Sequence, residues 1–159
     1  MNKSALVKQI IAALAENLAL LDKAAHAAHA EATHESSKAE NKYDTRGLEA
    51  AYLAGGQARQ ARELADAIKL YGKLPLRDFS KTDPIDLGAL VELETNCERS
   101  FYFIGPKGGG LEINFQRKEI MVITPQSPLG TNLIGKKQGD HWTAPLAGQS
   151  TKYHIVSVH

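Results

Sequence analysis

The first third of the chain carries a seven-residue hydrophobic repeat. Two apolar series follow this spacing: Val7, Leu14, Leu21 and Ala28, and Ile11, Leu18, Ala25 and Ala32. Neither proline nor glycine occurs between Ser4 and Lys38. Apolar residues at the a and d positions of a heptad predict one long helix with a seam that faces a partner. Because the seam changes from leucine and isoleucine to alanine beyond Ala24, we expect its distal part to bury less area and to be less stable.

A second, alanine-rich helix is predicted from about Arg46 to Tyr71. Gly55 and Gly56 lie inside it, at a cost of about 1 kcal/mol per glycine relative to alanine. A close crossing, a local kink or a true break would each explain the pair. The polar segment 35–47 separates the two helices, so they predict an antiparallel coiled-coil hairpin with a polar tip. Arms of about 30 to 35 residues would make a rod roughly 45 to 50 Å long.

Short β-like runs follow a segment that proline interrupts twice. The runs are Ile85–Leu93, Arg99–Ile104, Leu111–Phe115, Glu119–Ile123 and Lys152–Val158. They predict a small antiparallel sheet or half-barrel, with a short helix near 129–134 and a tight return to a strand at 135–140. The predicted fold class is therefore α+β. Its parts are a helical hairpin at 1–74, a linker at 75–84 and a β domain at 85–159.

Composition sets the bounds on the class of protein. A net charge of +1 over 159 residues does not indicate a general affinity for nucleic acid. The single cysteine, Cys97, excludes an intrachain disulfide, and we expect it to be a small core residue on a strand. The N-terminal region lacks the pattern of a signal peptide, and no uninterrupted apolar run has the length of a membrane span. We therefore expect a cytoplasmic protein without membrane contact.

The segment Ser127–Asp140 reads S-P-L-G-T-N-L-I-G-K-K-Q-G-D and follows the strand-like run Glu119–Thr124. This arrangement resembles the C-terminal domain of the Gre transcript-cleavage factors of bacterial RNA polymerase. The resemblance implies a compact domain shaped like the FK506-binding proteins. It also implies a hairpin that enters the polymerase secondary channel. In that family the tip carboxylates help to hold a second Mg²⁺ in the active site of the polymerase. Backtracked RNA is then hydrolysed there by a two-metal mechanism.

The resemblance extends in part to the predicted tip. Family tips resemble G-D-x-x-E-N-A-E-Y, and Glu40-Asn41 anchor the alignment here. Glu40 then stands at the second key carboxylate, whereas Ser37 stands where the family has its first, an aspartate. Glu40 is thus the expected catalytic and Mg²⁺-directed residue.

The other candidate site residues have supporting roles under the same resemblance. Asp44 or Glu35 would partner Glu40 if the turn brings it close, with Asp44 as the second Mg²⁺ ligand. Asn41, Tyr43 and Arg46 would position the tip or the RNA end. Lys136 and Lys137 would contact the polymerase rim, or would form only a solvated turn.

Three functions follow as hypotheses. The first is an elongation factor that stimulates the intrinsic cleavage activity of RNA polymerase and acts indirectly on the 3′ end of nascent RNA. The second is a non-cleaving regulator that occupies the channel, which Ser37 favours. The third is a coiled-coil interaction module with an unrelated partner. We expect no catalytic activity and no cofactor of its own, apart from the Mg²⁺ shared with polymerase. We also expect a monomer, although alanine-rich seams can pair between chains as well as within one.

Overall fold

The computed structural model describes residues 2–33, 46–146 and 149–159. The chain divides into two compact units. The β unit comprises the residues up to Ile11 together with Leu70–His159, and the helical unit comprises Ala12–Lys69. The predicted tip residues Glu35, Glu40, Asn41, Tyr43 and Asp44 lie outside the described residues, so their roles stay predictions.

Two long helices account for most of the N-terminal half, as the heptad pattern predicts. Helix α1 spans Lys3–Thr33 and helix α2 spans Arg46–Gly72. Helix α2 continues through Gly55 and Gly56 without a break. A Cβ atom added at either glycine would meet nothing within 4 Å, so no close approach requires them. In the helical unit, Leu14 and Ala67 are almost fully buried.

Helix α1 is long and apolar enough over Lys3–Ala27 to cross a bilayer by length and composition alone, with a mean hydropathy of 1.4. Core helices of soluble proteins meet the same criterion. Here Leu6 and Ile10 have no exposed surface. The window also includes charged residues such as Lys8, Glu16 and Asp22. The property is therefore weak evidence for a membrane span.

The β unit contains a six-stranded sheet and one short helix. In chain order its elements are β1 Leu90–Thr95, β2 Glu98–Ile104, β3 Glu112–Phe115, β4 Lys118–Ile123, α3 Pro128–Leu133, β5 His141–Leu146 and β6 Gln149–Val158. The strands lie in the order β3-β4-β2-β1-β6-β5. The α+β class is confirmed, and so is the short helix predicted near 129–134.

The sheet differs from the sequence prediction in three respects. Strands β2 and β4 are parallel, so the sheet is mixed, because β4 inserts between β2 and β3. Strand β1 begins at Leu90 rather than Ile85, because a turn at 86–89 precedes it. That turn is closed by the hydrogen bond from the Ala89 N–H to the Asp86 carbonyl (3.1 Å), with Gly88 at φ +81°. Strand β5, at the edge of the sheet, was not among the five predicted strands.

The two faces of the sheet are covered differently. One face packs into a hydrophobic core beneath α3. Its buried members are Phe79, Ile85, Ala89, Val91, Leu93, Ile104, Ile123, Leu133, Ile155 and Val158. Against the other face lies Tyr71 of α2, whose ring stacks on Phe103 of β2 with centroids 6.5 Å apart. The Tyr71 hydroxyl donates to the Lys107 carbonyl at 2.7 Å, which ties the end of α2 to the β2–β3 loop.

The start of α1 is also held inside the β unit. The Lys3 ammonium donates to the Arg77 carbonyl and lies 4.8 Å from the centroid of the Phe79 ring. The Arg77 guanidinium lies 4.0 Å from the same centroid. Burial lowers the pKa of Lys3, and the carboxylate of Asp78 opposes that shift. The contacts of Lys3 with the Arg77 carbonyl and the Phe79 ring therefore tie the first turn of α1 to the segment at 77–79.

Cys97 is not the core residue that the sequence predicts. It is exposed and lies in the two-residue turn between β1 and β2. Asn96 and Cys97 have φ angles of 50° and 66°, as a type I′ turn requires. The turn of Gln116 and Arg117, between β3 and β4, has the same geometry, with φ angles of 52° and 63°. None of these four residues is glycine, so the sequence carries no strong local signal for either hairpin.

Candidate functional site

The start of α3 is built by Ser127 and Pro128. The Ser127 hydroxyl accepts a hydrogen bond from the Gly130 N–H at 3.0 Å and donates one to the Thr124 carbonyl at 2.7 Å. It thereby satisfies one of the unpaired N–H groups of the first helical turn. Pro128 occupies the first helical position, where its missing N–H costs nothing. The S-P pair of the motif is explained by helix initiation.

Gly130 is required by close packing. A Cβ atom at this position would lie 1.9 Å from the carbonyl oxygen of Thr124 and 2.9 Å from the Ser127 hydroxyl. The glycine lets α3 pass directly over the turn that follows β4. Two residues beyond it in the motif, Asn132 donates from its side-chain amide to the Pro128 carbonyl at 2.8 Å. Helix α3 is therefore fixed in position with its Leu133 side chain in the core.

The end of the motif forms a turn that returns the chain to β5. Gly135 has φ +81°, and its N–H donates to the Ile85 carbonyl at 2.9 Å. The carbonyl of Lys136 accepts from the Ile85 N–H at 2.7 Å. The Asp140 carboxylate accepts from the Lys137 N–H at 2.8 Å. These bonds explain the glycine and the aspartate of G-K-K-Q-G-D by backbone geometry.

The structure places the two lysines of the motif differently. The Lys136 ammonium lies 5.7 Å from the centroid of the Trp142 ring, at the outer limit of a cation–π contact. Lys137 is exposed to solvent. Arg46 is the first residue of α2, and its side chain lies outside what the structure describes. Within the described ranges, no group of three or more His, Cys, Asp or Glu residues is arranged to hold a metal ion.

A cleft of about 410 Å³, the α3 cleft, opens beside this motif. Its lining residues are Thr95, Asn96, Glu98, Ser100, Tyr102, Pro128, Leu129, Asn132, Trp142, Ala144, Pro145 and Tyr153. Helix α3 forms one wall. Trp142 and Tyr153 form another as a stacked pair from β5 and β6, with ring centroids 4.8 Å apart and planes 9° from parallel. The rim is polar, with Asn96 and Glu98 exposed at the β1–β2 turn.

The sequence did not indicate this cleft. Trp142 and Tyr153 are eleven residues apart, and only the pairing of β5 with β6 brings them side by side. Both rings are half-buried and pack on the edge of the core. An apolar cleft with aromatic walls and a polar rim is suited to an apolar side chain of a partner protein.

The family of the chain is decided by its C-terminal half. The model of the family described as "Transcription elongation factor, GreA/GreB, C-term" matches residues 80–159, just over half of the chain. The protein belongs to the GreA/GreB family. It is therefore a transcription elongation factor that acts on RNA polymerase. All of the residues that line the α3 cleft lie inside the matched region, whereas the hairpin lies outside it.

Solved structures give a weaker likeness. The chain is 21% identical to the GreA factor homolog 1 (Gfh1) protein of Thermus thermophilus, with 98% of this chain and 93% of that one covered and a TM-score of 0.38. Thermus aquaticus Gfh1 gives 21% identity, the same coverage of both chains and a TM-score of 0.40. The elongation factor GreA/GreB from Nitrosomonas europaea gives 20% identity, 74% and 94% coverage and a TM-score of 0.36.

These scores are too low to add to the family match. No curated protein matches the chain significantly.

Proposed function

We propose that this GreA/GreB-family protein docks on RNA polymerase at the secondary channel through the α3 cleft and stimulates the polymerase's cleavage of backtracked RNA. The observation that carries the proposal is an open apolar cleft inside the domain that the family model matches. The residue types of its wall support docking, because tryptophan and tyrosine are enriched among the residues that dominate binding energy at protein interfaces.

The motif at 127–140 gives a second reason to propose the cleft as the docking surface. Ser127, Gly130 and Asp140 are accounted for by hydrogen bonds and packing within the domain. Leu129 and Asn132 lie between them on α3 and line the cleft. Because the structural members of the motif hold α3 in place, they also hold these two side chains at the cleft wall.

In this proposal the hairpin delivers the tip into the channel. Glu40 is the carboxylate that faces the Mg²⁺ of the polymerase active site, with Asp44 or Glu35 beside it. Asn41, Tyr43 and Arg46 position the tip against the 3′ end of the RNA. Carboxylate oxygens suit Mg²⁺, which stabilises the attacking and leaving oxygens of phosphodiester hydrolysis. The chain contributes ligands to a reaction of the polymerase and needs no activity of its own. Its place of action is the cytoplasm, with the polymerase.

A second function is favoured by one residue. Ser37 stands where the family tip has its first carboxylate, and Mg²⁺ is held better by two carboxylates than by one. A factor that docks and fills the channel without cleavage would modulate initiation, pausing or the access of other channel-binding factors. The same α3 cleft would serve both functions, so docking and cleavage are tested separately.

The cleavage arm compares tip variants on stalled, backtracked elongation complexes of the matching polymerase in the presence of Mg²⁺. We expect short 3′ RNA fragments with the natural chain, and at least tenfold slower release of them with Glu40→Ala, about 1.4 kcal/mol or more in the barrier. Asp44→Ala tests the partner carboxylate. Ser37→Asp is expected to accelerate cleavage, whereas Ser36→Asp adds the same charge one residue away and should not.

Each result of this arm selects a function. Fragments that depend on Glu40 support the cleavage factor. If no fragments form although the chain still binds polymerase, the result supports the channel-occupying regulator. A gain of cleavage with Ser37→Asp would then identify position 37 as the place of the missing carboxylate. Equal cleavage by the natural chain and Glu40→Ala would overturn the assignment of Glu40.

The docking arm blocks the cleft without changing the core. Asn132 is exposed and lines the cleft, so Asn132→Arg fills it with a long cation. We expect the Kd for core polymerase to rise at least tenfold. Thr131→Arg is the matched control, since Thr131 is exposed on the same helix but does not line the cleft. Circular dichroism verifies that both variants are folded. Equal affinities of the two variants would place docking elsewhere.

A further inference from the structure

Two histidines lie side by side at the edge of the sheet. His141 of β5 is directly opposite His154 of β6, and their rings stack with centroids 4.2 Å apart and planes 10° from parallel. His141 is exposed, and His154 is half-buried. The next residue pair along these strands is Trp142 with Tyr153, so the histidines lie on the opposite face of the sheet from the α3 cleft. The pair is therefore open to solvent behind the aromatic wall of the cleft.

The ring nitrogens of both histidines are available as ligands. Among the residues that the structure describes, the ring stack is the only hydrogen-bond, ion-pair or aromatic contact of either side chain. His26 shows the contrast, because its Nδ1 atom lies 2.8 Å from the Asp22 carbonyl oxygen and 3.6 Å from the Asp22 carboxylate. A neutral imidazole always carries one nitrogen with a free lone pair. The stacked pair therefore places two such lone pairs, neither used by a described residue, at one solvent-accessible position.

Charged residues of both signs share the face of the sheet that carries the pair. Glu94 of β1 is directly opposite His154 in the register, and its carboxylate lies 3.6 Å from the Nε atom of Arg99 on β2. Lys152 precedes His154 by two positions on the same face, and it is exposed, so water screens its charge. Within the described ranges no group of three His, Cys, Asp or Glu residues is arranged around a metal. Water would therefore complete the coordination of a metal held by the two imidazoles.

We propose that His141 and His154 together bind one divalent transition-metal ion of the class that prefers imidazole, which includes Zn²⁺, Cu²⁺ and Ni²⁺. In a tetrahedral site with ordinary metal–nitrogen distances, two imidazole nitrogens are roughly 3.4 Å apart. The ring centroids are already 4.2 Å apart, close to that separation. Rotation about χ2, a torsion with a broad energy profile in histidine, turns one nitrogen of each ring toward a common point. Binding therefore needs no movement of the backbone.

The metal links the edge strand β5 to its one neighbour, β6. It stabilises the folded state, because the unfolded chain does not hold the two ligands together. The same link keeps Trp142 and Tyr153, the adjacent residue pair, in register at the wall of the α3 cleft. An effect on polymerase docking would rest on the proposed function, whereas metal binding itself is measured without polymerase. The sequence indicated no metal other than the Mg²⁺ shared with polymerase, because only the pairing of β5 with β6 brings the two histidines together.

The test is metal titration of the full chain, prepared without a polyhistidine tag and freed of metal with a chelator. Isothermal titration calorimetry with ZnCl₂ should show one ion per chain at the tightest site, whereas MgCl₂ should give no heat of binding, because Mg²⁺ prefers oxygen ligands. Cu²⁺ should bind more tightly than Zn²⁺ or Ni²⁺. It should also quench the fluorescence of Trp142, the only tryptophan, which is next to His141.

Variants that keep the ring stack identify the ligands. His141→Phe and His154→Phe each retain an aromatic ring and remove one ligand, so the folded state should persist, as circular dichroism verifies. Each should raise the Kd for Zn²⁺ at least tenfold, because the second imidazole otherwise acts at a high effective concentration. The matched control is His26→Phe, at an exposed position of α1, which should leave the Kd unchanged.

Stability gives an independent readout of the same site. Zn²⁺ should raise the urea midpoint of the natural chain, followed by Trp142 fluorescence, and should not raise that of His154→Phe. A natural chain that binds neither Zn²⁺ nor Cu²⁺ would overturn the proposal. So would unchanged affinity in both His141→Phe and His154→Phe, or a loss of affinity only in His26→Phe, which would place the metal on the helical unit.

Discussion

Replacing Gly130 with alanine is expected to destabilise the β unit by about 3 kcal/mol, the upper end of the usual cost of overpacking, because the group that the new methyl meets is immobile. The added Cβ would lie 1.9 Å from the carbonyl oxygen of Thr124. That oxygen cannot move aside freely. It accepts hydrogen bonds from the Ser127 N–H at 3.0 Å and from the Ser127 hydroxyl at 2.7 Å. Relief of the clash would displace α3 and break the helix cap.

Urea unfolding followed by Trp142 fluorescence measures this effect, since Trp142 lies in the same unit. Gly109→Ala is the matched control. A Cβ at Gly109 would meet its nearest neighbour, the methyl group of Thr124, at 3.5 Å, which is ordinary contact. We expect that substitution to change the free energy of unfolding by less than about 0.5 kcal/mol. A loss of similar size in both variants would show that the close approach at Gly130 is not the cause.

The Gly130→Ala substitution is also expected to affect the proposed docking on polymerase. Leu129 and Asn132 flank Gly130 on α3, and both line the cleft. A displaced α3 would change the cleft even where the domain remains folded. We therefore expect Gly130→Ala to weaken polymerase binding under conditions in which the domain is still largely folded. Asn132→Arg, in contrast, should weaken binding with the loss of only one exposed hydrogen bond, from Asn132 to the Pro128 carbonyl.

The sequence predicts elements whose signals are local. The heptad series of α1 acts within a few turns of chain, and that helix is present, as is the short helix expected near 129–134. Strand pairing is a longer-range property. The parallel alignment of β2 with β4 depends on where β3 turns back, and that turn is made by Gln116 and Arg117 at positive φ. Neither residue type signals such a turn.

The same distinction applies to the candidate site. The motif at 127–140 is contiguous, so its resemblance to the Gre factors could be read directly from the sequence. The α3 cleft is not contiguous. It requires Trp142 to stack on Tyr153 across two strands, one of which, β5, was not among the predicted strands. Pro145 lies within β5, which is tolerated because β5 is an edge strand. A proline within a run ordinarily argues against a strand.

Among the side chains at the helix–sheet junction of the β unit, that of Tyr71 is expected to contribute most to stability. It is 2% exposed, stacks on Phe103 and donates to the Lys107 carbonyl. Tyr71→Ala should destabilise the unit by about 3 to 5 kcal/mol, the usual cost of removing a buried aromatic ring. Tyr71→Phe keeps the ring and loses only the hydrogen bond, at about 1 kcal/mol near neutral pH. Urea unfolding of both variants separates the ring from the hydroxyl.

The contribution of the Tyr71 hydroxyl to stability is expected to depend on pH. Burial raises the pKa of Tyr71 well above its ordinary value of 10.0. Below pH 10 the phenol is neutral in both the folded and unfolded states, so its contribution to stability is complete. Above pH 10 the unfolded chain loses the proton while the folded one keeps it. The contribution is then lost at up to about 1.4 kcal/mol per pH unit.

The difference in unfolding free energy between the natural chain and Tyr71→Phe isolates this contribution. We expect a constant difference from pH 7 to about pH 9 and a decreasing one above pH 10, where the variant becomes the more stable of the two. Lys3 acts in the opposite direction, because its lowered pKa adds stability as pH rises, but it is present in both chains and cancels. Tyr52→Phe is the control, since Tyr52 is exposed. A difference that stays constant to pH 11 would mean that the Tyr71 hydroxyl ionises in the folded protein as readily as in the unfolded chain.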